Sequence, residues 1–465
     1  MTTTHSSSAA VLAADQDIVS ETLNRMSKDN LLKAVRDAGI VGAGGAGFPT
    51  YVKLQSKAEI FLVNAAECEP LLKVDQQLMD RYPSKLIRGL QYGMSLTGAK
   101  EGVIALKEKY SAAISALTPL LPSNIRIHVL PDIYPAGDEV ITIWLATGRQ
   151  VAAAALPLSV GVMVNNVQTL MQLADTFEQG EPVTKRTLTI NGAVANPVTF
   201  TAPIGITLAQ ALAIAGGATI QNPAYILGGP MMGKVIEDLD QPVTKTTGGL
   251  IVLPQDHILI QRQKRSIESV LNMARNVCEQ CKMCTELCPR HLIGHELSPS
   301  EIVKAVCYEK VSKPSVLLSA LTCSECGICE AYACPVEISP MRINQMLKKQ
   351  FREQGANYTG ELRDVDPMLP YRMLPTKRLI SRLDLDSLNK NAPMQDIDWS
   401  PEQVCIPLQQ HIGKASNPIV SVGDKVFVGQ CIATPDEDAL GVSIHSSLCG
   451  VVHYISNTDI TITKE

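Results

Sequence analysis

No stretch of this chain reads as a membrane span. The most apolar run, residues 151–164, is interrupted by Pro157 and Ser159 and is too short to cross a bilayer, so it reads as a buried element. A dominant charge sign is missing too: 41 Lys and Arg stand against 46 Asp and Glu, a net charge of −5, with no strong basic run. That balance gives no sign of a nucleic-acid partner. The N-terminus, MTTTHSSSAAVLAADQD, has no basic region ahead of an apolar core, which argues against a secretory signal. A soluble, cytoplasmic protein without an integral membrane segment is expected. Cysteine is nearly absent from the first 277 residues, where only Cys68 occurs, although the chain holds 13. Thiols so unevenly spread in a reducing compartment point to metal rather than to disulfides.

What is present suffices for folded domains. The 465 residues are 45% apolar and 19% charged, which fits core-bearing structure and a length of about three domains. The first 17 residues are rich in Ser, Thr and Ala and read as disordered; Ile18, Val19, Leu23 and Met26 then recur at helical spacing. Residues 29–182 alternate helix and strand, with strands expected at EIFLVNAA, GVIAL, RIHVL and VGVMVNN, an α/β pattern. Residues 183–255 turn β-rich around one helix, with a hairpin signal at Asn191-Gly192 and a texture of β-grasp type. Residues 256–354 are helical around the cysteines, 355–400 have weak periodicity and read as a linker, and 401–465 read as a compact β-sandwich. The fold class is multidomain α/β.

The cysteines carry the strongest signal. Cys278, Cys281, Cys284 and Cys288 form C-x2-C-x2-C-x3-C before Pro289; Cys323, Cys326, Cys329 and Cys334 form C-x2-C-x2-C-x4-C before Pro335. Three thiolates at two-residue gaps wrap one cluster, and the fourth, before proline, reaches to the other cluster in two-cluster ferredoxins. Two [4Fe–4S] clusters are therefore expected, one on Cys278, Cys281, Cys284 and Cys334, the other on Cys323, Cys326, Cys329 and Cys288. Structural zinc also takes four thiolates, but zinc ribbons separate two C-x2-C pairs by a longer loop. Cys307, Cys405, Cys431 and Cys449 read as ordinary buried thiols.

A second signal is GIVGAGGAGFPTYVKL, residues 39–54. Its Gly42, Gly44 and Gly45 suit close approach of backbone N–H groups to a phosphate, with Lys53 as an added cation. Read alone, the same glycines fit a tight turn equally well. A third is a scatter of polar groups at strand ends: Asn64, Glu67 and Glu69; Tyr134, Gly137, Asp138 and Glu139; Asn165 and Asn166. Ligands in open α/β sheets bind beyond the carboxyl ends of strands, although each of these residues also suits a turn or a helix cap.

In this order, GAGGAGFPT, VNAAECEP, YPAGDEV and VNNVQT resemble the flavoprotein subunit of respiratory complex I and, more closely, the RnfC component of the Rnf electron-transport complex. The resemblance implies an FMN/NADH-binding α/β domain over 29–182, an SLBB β-grasp domain over 183–255 and a ferredoxin-type domain over 256–354. It implies FMN held by Gly42, Gly44, Gly45, Lys53, Asn64, Glu67, Tyr134, Gly137, Glu139, Asn165 and Asn166, with NADH, the electron donor, near Phe48 and Glu69. Ala43 and Ala66 stand where the complex I pattern has arginine and aspartate, and Leu71 where it has glycine. Residues 401–465 are similar to the Rnf barrel-sandwich module, which there lies at the N-terminus. With that module at the C-terminus, the chain is similar to the cobalamin reductases of propanediol-utilisation microcompartments. That likeness implies cobalamin as substrate, a cob(I)alamin adenosyltransferase and shell proteins as partners, and residence in a bacterial microcompartment. Residues 1–28 then read either as a targeting-like tail and amphipathic helix or as a solvent-exposed leader. The Rnf-type subunit remains the alternative.

Overall fold

A computed structural model describes residues 8–308, 313–358 and 360–465. Among them, no helix is long and apolar enough to cross a membrane.

The disorder expected at the N-terminus lies outside the described residues for 1–7. From Ser8 it gives way to a helix, Ser8–Arg25. Ala10, Ala13 and Ala14 explain the difference, because alanine is the strongest helix former and needs no apolar periodicity. The helix docks on the first domain. Val19 is buried against Tyr92 and Ala174, with Leu23 beside them. Arg88 donates to Asp15 at 2.5 Å and grips both oxygens of Glu178 at 2.8 and 3.0 Å. Ile18, expected on the apolar face, is 40% exposed.

The first domain is a parallel sheet with helices on both faces. Its strands lie in the order Ile125–Leu130, Glu101–Lys107, Ile60–Ala65, Val162–Asn166. The alternation of Ile60–Ala65 sends Phe61, Val63 and Ala65 into one core and Ile60 and Leu62 into another, as a doubly covered sheet requires. Chain order builds outward from Ile60–Ala65 to Ile125–Leu130, then returns to add Val162–Asn166 on the other side. The reversal makes a topological switch point between Ile60–Ala65 and Val162–Asn166. The apolar run 151–164 is not one buried element: it holds a 3-10 turn, Pro157–Val160, leading into that last strand, and Leu156 is 71% exposed.

The second domain pairs Lys185–Gly192 with Val198–Pro203, packs the helix Leu208–Ile214 on them, and lays Gly249–Pro254 parallel to the first strand, a β-grasp arrangement. The hairpin turns over residues 193–197, beyond Asn191-Gly192; Asn191 is instead buried and donates to the carbonyls of Leu71 and Lys390.

The segment 355–400, expected as a linker, packs against two domains. Leu374–Pro375 pairs with Ile133–Tyr134, and Met394–Gln395 extends the β-grasp sheet beside Val198–Pro203. Between them the helix Thr376–Arg382 precedes buried Leu383 and Leu385. Two small antiparallel sheets form the C-terminal module. Val404, Ile406, Ile432 and Ile462 of that module share one core with Leu188, Ile206 and Leu208 of the β-grasp domain. Of the four cysteines read as buried, Cys307 is buried, Cys405 and Cys431 are half-buried, and Cys449 is exposed.

Candidate functional site

The eight motif cysteines form two four-thiol pockets. One is lined by Cys278, Cys281, Cys284 and Cys334. The other is lined by Cys288, Cys323, Cys326 and Cys329. Each pocket thus takes its fourth thiol from the other motif, the crossing expected from the spacing. The backbone repeats as well: Gln280 and Glu325, two residues after the first cysteine of each motif, are left-handed at φ 51° and 60°, and so are Lys282 and Gly327, just after the second. Non-glycine residues hold that conformation only where the surroundings impose it. Both loops therefore curl alike, bringing thiols at two-residue gaps to face one space.

Apolar neighbours such as Val303 and Ile338 in the first pocket and Leu297 and Ile328 in the second dry these spaces. Burial raises Cys284 and Cys288 to about 12, and Cys326 and Cys329 rise strongly as well. Such thiols keep their protons unless a cationic group takes the protons' place. Among the described residues, no three His, Cys, Asp or Glu side chains converge as ligands of one ion. The pockets differ in access. Cys281 is exposed in the first, whereas all four thiols of the second are buried.

The second set of expected residues gathers at the switch point. Asn165 and Asn166 end one strand and Asn64 lies near the end of its neighbour. Asn166 caps the helix Val167–Gln179 and donates to Asp75 at 2.7 Å. Gly44 lies so close that a Cβ there would stand 3.1 Å from the Asn166 side chain, and Gly44 and Gly45 are exposed above it. Gly42 closes the loop by donating to the Phe48 carbonyl at 2.9 Å. Asn64 donates to the Gly137 carbonyl at 2.8 Å; a Cβ on Gly137 would collide with the Ala66 carbonyl, so only glycine permits this approach.

Glu67 accepts from the N–H groups of Val74 and Asp75 at 3.1 and 3.3 Å. Burial, with Asp75 nearby, raises it to about 8, and burial raises Asp75 to about 6. Glu67 nevertheless keeps partial exposure, as a group in the wall of a recess does. Lys53 donates to the Val164 carbonyl at 3.2 Å and stands 3.7 Å from Glu139.

Two expected contacts are otherwise engaged. Tyr134 is fully buried, and its hydroxyl donates to the Cys326 carbonyl at 2.7 Å, tying the switch-point side of the first domain to the inner thiol pocket. Both Glu69 oxygens accept from the Met231 and Met232 N–H groups of the β-grasp domain, at 2.9 and 3.0 Å. Sequence reasoning missed Asp75, Thr169 and Arg186. Thr169 accepts from the Ala43 N–H at 2.9 Å, and Arg186 donates to the Ala43 carbonyl at 2.8 Å. No local pattern signalled Arg186: it opens the strand Lys185–Gly192 beside another cation, Lys185, and its partner carbonyl lies 143 positions away.

The residues present fit a flavin phosphate and ring. Asn165 Nδ2 and Arg186 Nη1 are buried donors without partners, in residues 5% and 4% exposed, and a buried donor of this kind calls for an acceptor. Gly44 and Gly45, exposed beside Asn166, lie with Asn165 at the sheet's carboxyl edge.

Four family models match parts of the chain: the Nuo51 FMN-binding domain over residues 35–175, the SLBB domain over 187–235, a 4Fe-4S dicluster domain over 277–339 and the RnfC barrel sandwich hybrid domain over 385–465. The chain is 60% identical over 439 residues to the cobalamin reductase PduS of Salmonella typhimurium, covering 94% of this chain and 97% of that protein. It is 57% identical to the PduS of Citrobacter freundii, over 92% and 95%. A component of the Na(+)-translocating ferredoxin:NAD(+) oxidoreductase complex of Acetobacterium woodii is 37% identical, over 58% of this chain and 60% of that one. The chain is an oxidoreductase of the flavin and iron–sulfur electron-transfer class.

Proposed function

This chain belongs to the PduS family of cobalamin reductases, and on that footing we propose that it carries electrons from NADH to the cobalt of cobalamin. The resident groups are FMN at the switch point and two [4Fe–4S] clusters in the thiol pockets. A flavin takes two electrons as hydride and clusters pass them singly, which suits a one-electron acceptor such as cobalt. Gly44, Gly45 and Lys53 would hold the flavin phosphate over the turn that Gly42 closes; Asn64, Glu67, Gly137, Glu139, Asn165 and Asn166 would line its edge.

A cluster held by Cys288, Cys323, Cys326 and Cys329, in the buried pocket that adjoins the first domain through Tyr134, would be the one nearer the flavin domain; a cluster in the pocket with exposed Cys281 would be the one open to a corrinoid. The observation that carries this reading is the hydroxyl of Tyr134 on the Cys326 carbonyl, which sets a thiol pocket directly behind the flavin domain. The reduced cobalt is then substrate for a partner cob(I)alamin adenosyltransferase, and the working location is cytoplasmic, within a bacterial microcompartment and its shell proteins.

The test is an anaerobic preparation analysed for iron, sulfide and flavin, then mixed with NADH and hydroxocobalamin without membranes. Two clusters and one FMN per chain, with appearance of the reduced corrinoid spectrum, support the proposal. Reduction that occurs only when a membrane complex and ferredoxin are supplied points instead to an Rnf-type subunit.

A further inference from the structure

Two basic side chains of the β-grasp domain are buried in the wall behind the glycine-rich loop. Arg186 is 4% exposed and Lys245 2%. Arg186 donates to the Ala43 carbonyl at 2.8 Å and to the Thr247 carbonyl at 2.7 Å. Lys245 Nζ donates to the Gly39 carbonyl at 2.7 Å and, across the domain boundary, to the Ser443 carbonyl of the C-terminal module at 3.0 Å. Its own N–H donates to the Gln410 side chain at 3.0 Å. Burial lowers Lys245 to about 7, and no carboxylate adjoins it among the described residues. At Gly47, φ is +72°, and a Cβ would meet Thr246 Cγ2 at 2.9 Å, His411 Cα at 3.1 Å and the Gln410 carbonyl at 3.2 Å. Two domains besides its own therefore press on this loop.

We propose that Arg186 and Lys245 are positioning residues for the flavin: Arg186 binds the Ala43 carbonyl from behind, leaving the Gly44 N–H of that peptide on the phosphate side, while Lys245 ties the Gly39 carbonyl at the root of the loop to the C-terminal module, which braces the clamp. This rests on the reading that the loop holds FMN. A carbonyl engaged by a cation from behind polarises its peptide, which strengthens N–H donation on the other side. A buried cation near the flavin also favours its more negative, reduced form.

The experiment uses the full-length chain loaded with clusters and FMN, and compares Lys245→Met, Arg186→Met, Gly47→Ala and Gly44→Val. Flavin fluorescence gives the FMN dissociation constant, thiolate-to-iron absorption gives cluster content, and redox titration gives the flavin midpoint potential. Each Met variant is expected to weaken FMN by at least about tenfold, the scale of one lost charge-assisted hydrogen bond, and to keep cluster absorption, and Arg186→Met is expected also to lower the flavin potential. Gly47→Ala wedges the loop from its brace and is expected to weaken FMN while leaving the potential of the remaining bound flavin unchanged. Wild-type affinity and potential in both Met variants, while Gly44→Val loses FMN, overturns the clamp and leaves the loop reading intact. Full FMN retention by Gly44→Val overturns the loop reading itself. Parallel loss of clusters and flavin in the Met variants marks a general folding role and also overturns the proposal.

Discussion

The thiol pockets and the switch-point recess are built on opposite plans. Every thiol of the pockets comes from within 57 consecutive residues, 278–334, and the chemistry resides in side-chain type. The recess draws on the glycine loop, two strand ends, Asp75, and Arg186 of the next domain, and its loop is held through peptide groups, the Ala43 N–H by Thr169 and the Ala43 carbonyl by Arg186. A site made from side chains at short spacing can be altered one ligand at a time. A site made from backbone depends on whatever holds that backbone in place.

The sharpest break in this comparison is Cys326→Ser. It removes a buried ligand of the inner pocket, and cobalamin reduction is expected to fall by more than about 100-fold, beyond the range seen for partners outside the ligand shell. Iron analysis should show one cluster lost, and flavin content should hold, because the recess does not use this thiol. Retention of both clusters would mean that the pockets do not partition as described.

Tyr134→Phe tests the seam between the two regions. It leaves the Cys326 carbonyl without its donor at a buried position, at a cost of about 1 kcal/mol of stability. Chemical denaturation measures the loss, and stopped-flow reduction of the clusters should slow while flavin reduction by NADH does not.

The smallest effect belongs to Glu67→Gln. Glu67 is raised from 4.5 to about 8, so the folded chain binds the proton more tightly than the unfolded one. Its contribution to stability is full below the unfolded value and is lost as pH rises through about 8. Asp75, raised to about 6, acts in the same direction. The wild type should therefore lose melting temperature between roughly pH 5 and pH 8, and Glu67→Gln should flatten that decline. An unchanged slope would place the titration elsewhere.

The same contrast decides what could be read from the chain beforehand. The pairing of Cys334 with Cys278, and of Cys288 with Cys323, was legible because cluster geometry fixes which thiols can meet. The parallel sheet was legible from its apolar runs. The recess was reached only through resemblance, since glycine spacing alone fits a plain turn as well. Arg186 and Lys245 escaped because their partners are carbonyls 143 and 206 positions away, which no local pattern encodes. The strap at 355–400 looked structureless because its two-residue strands gain their stability from edges supplied by other domains. Asn191-Gly192 misled because Asn191 was recruited into the interior, leaving the turn to the residues after it.

The docked helix Ser8–Arg25 imposes a choice on any receptor that reads the N-terminus. Val19 and Asp15 are already committed to the body of the protein, and the outward side offers Gln16, Asp17, Glu21 and Arg25. Recognition of the greasy side must peel the helix away, stripping cover from Tyr92 and taking Asp15 from the guanidinium of Arg88, so receptor binding and thermal robustness would trade against each other. Recognition of the polar side leaves the enzyme whole, and a melting curve recorded with the receptor bound tells the two apart.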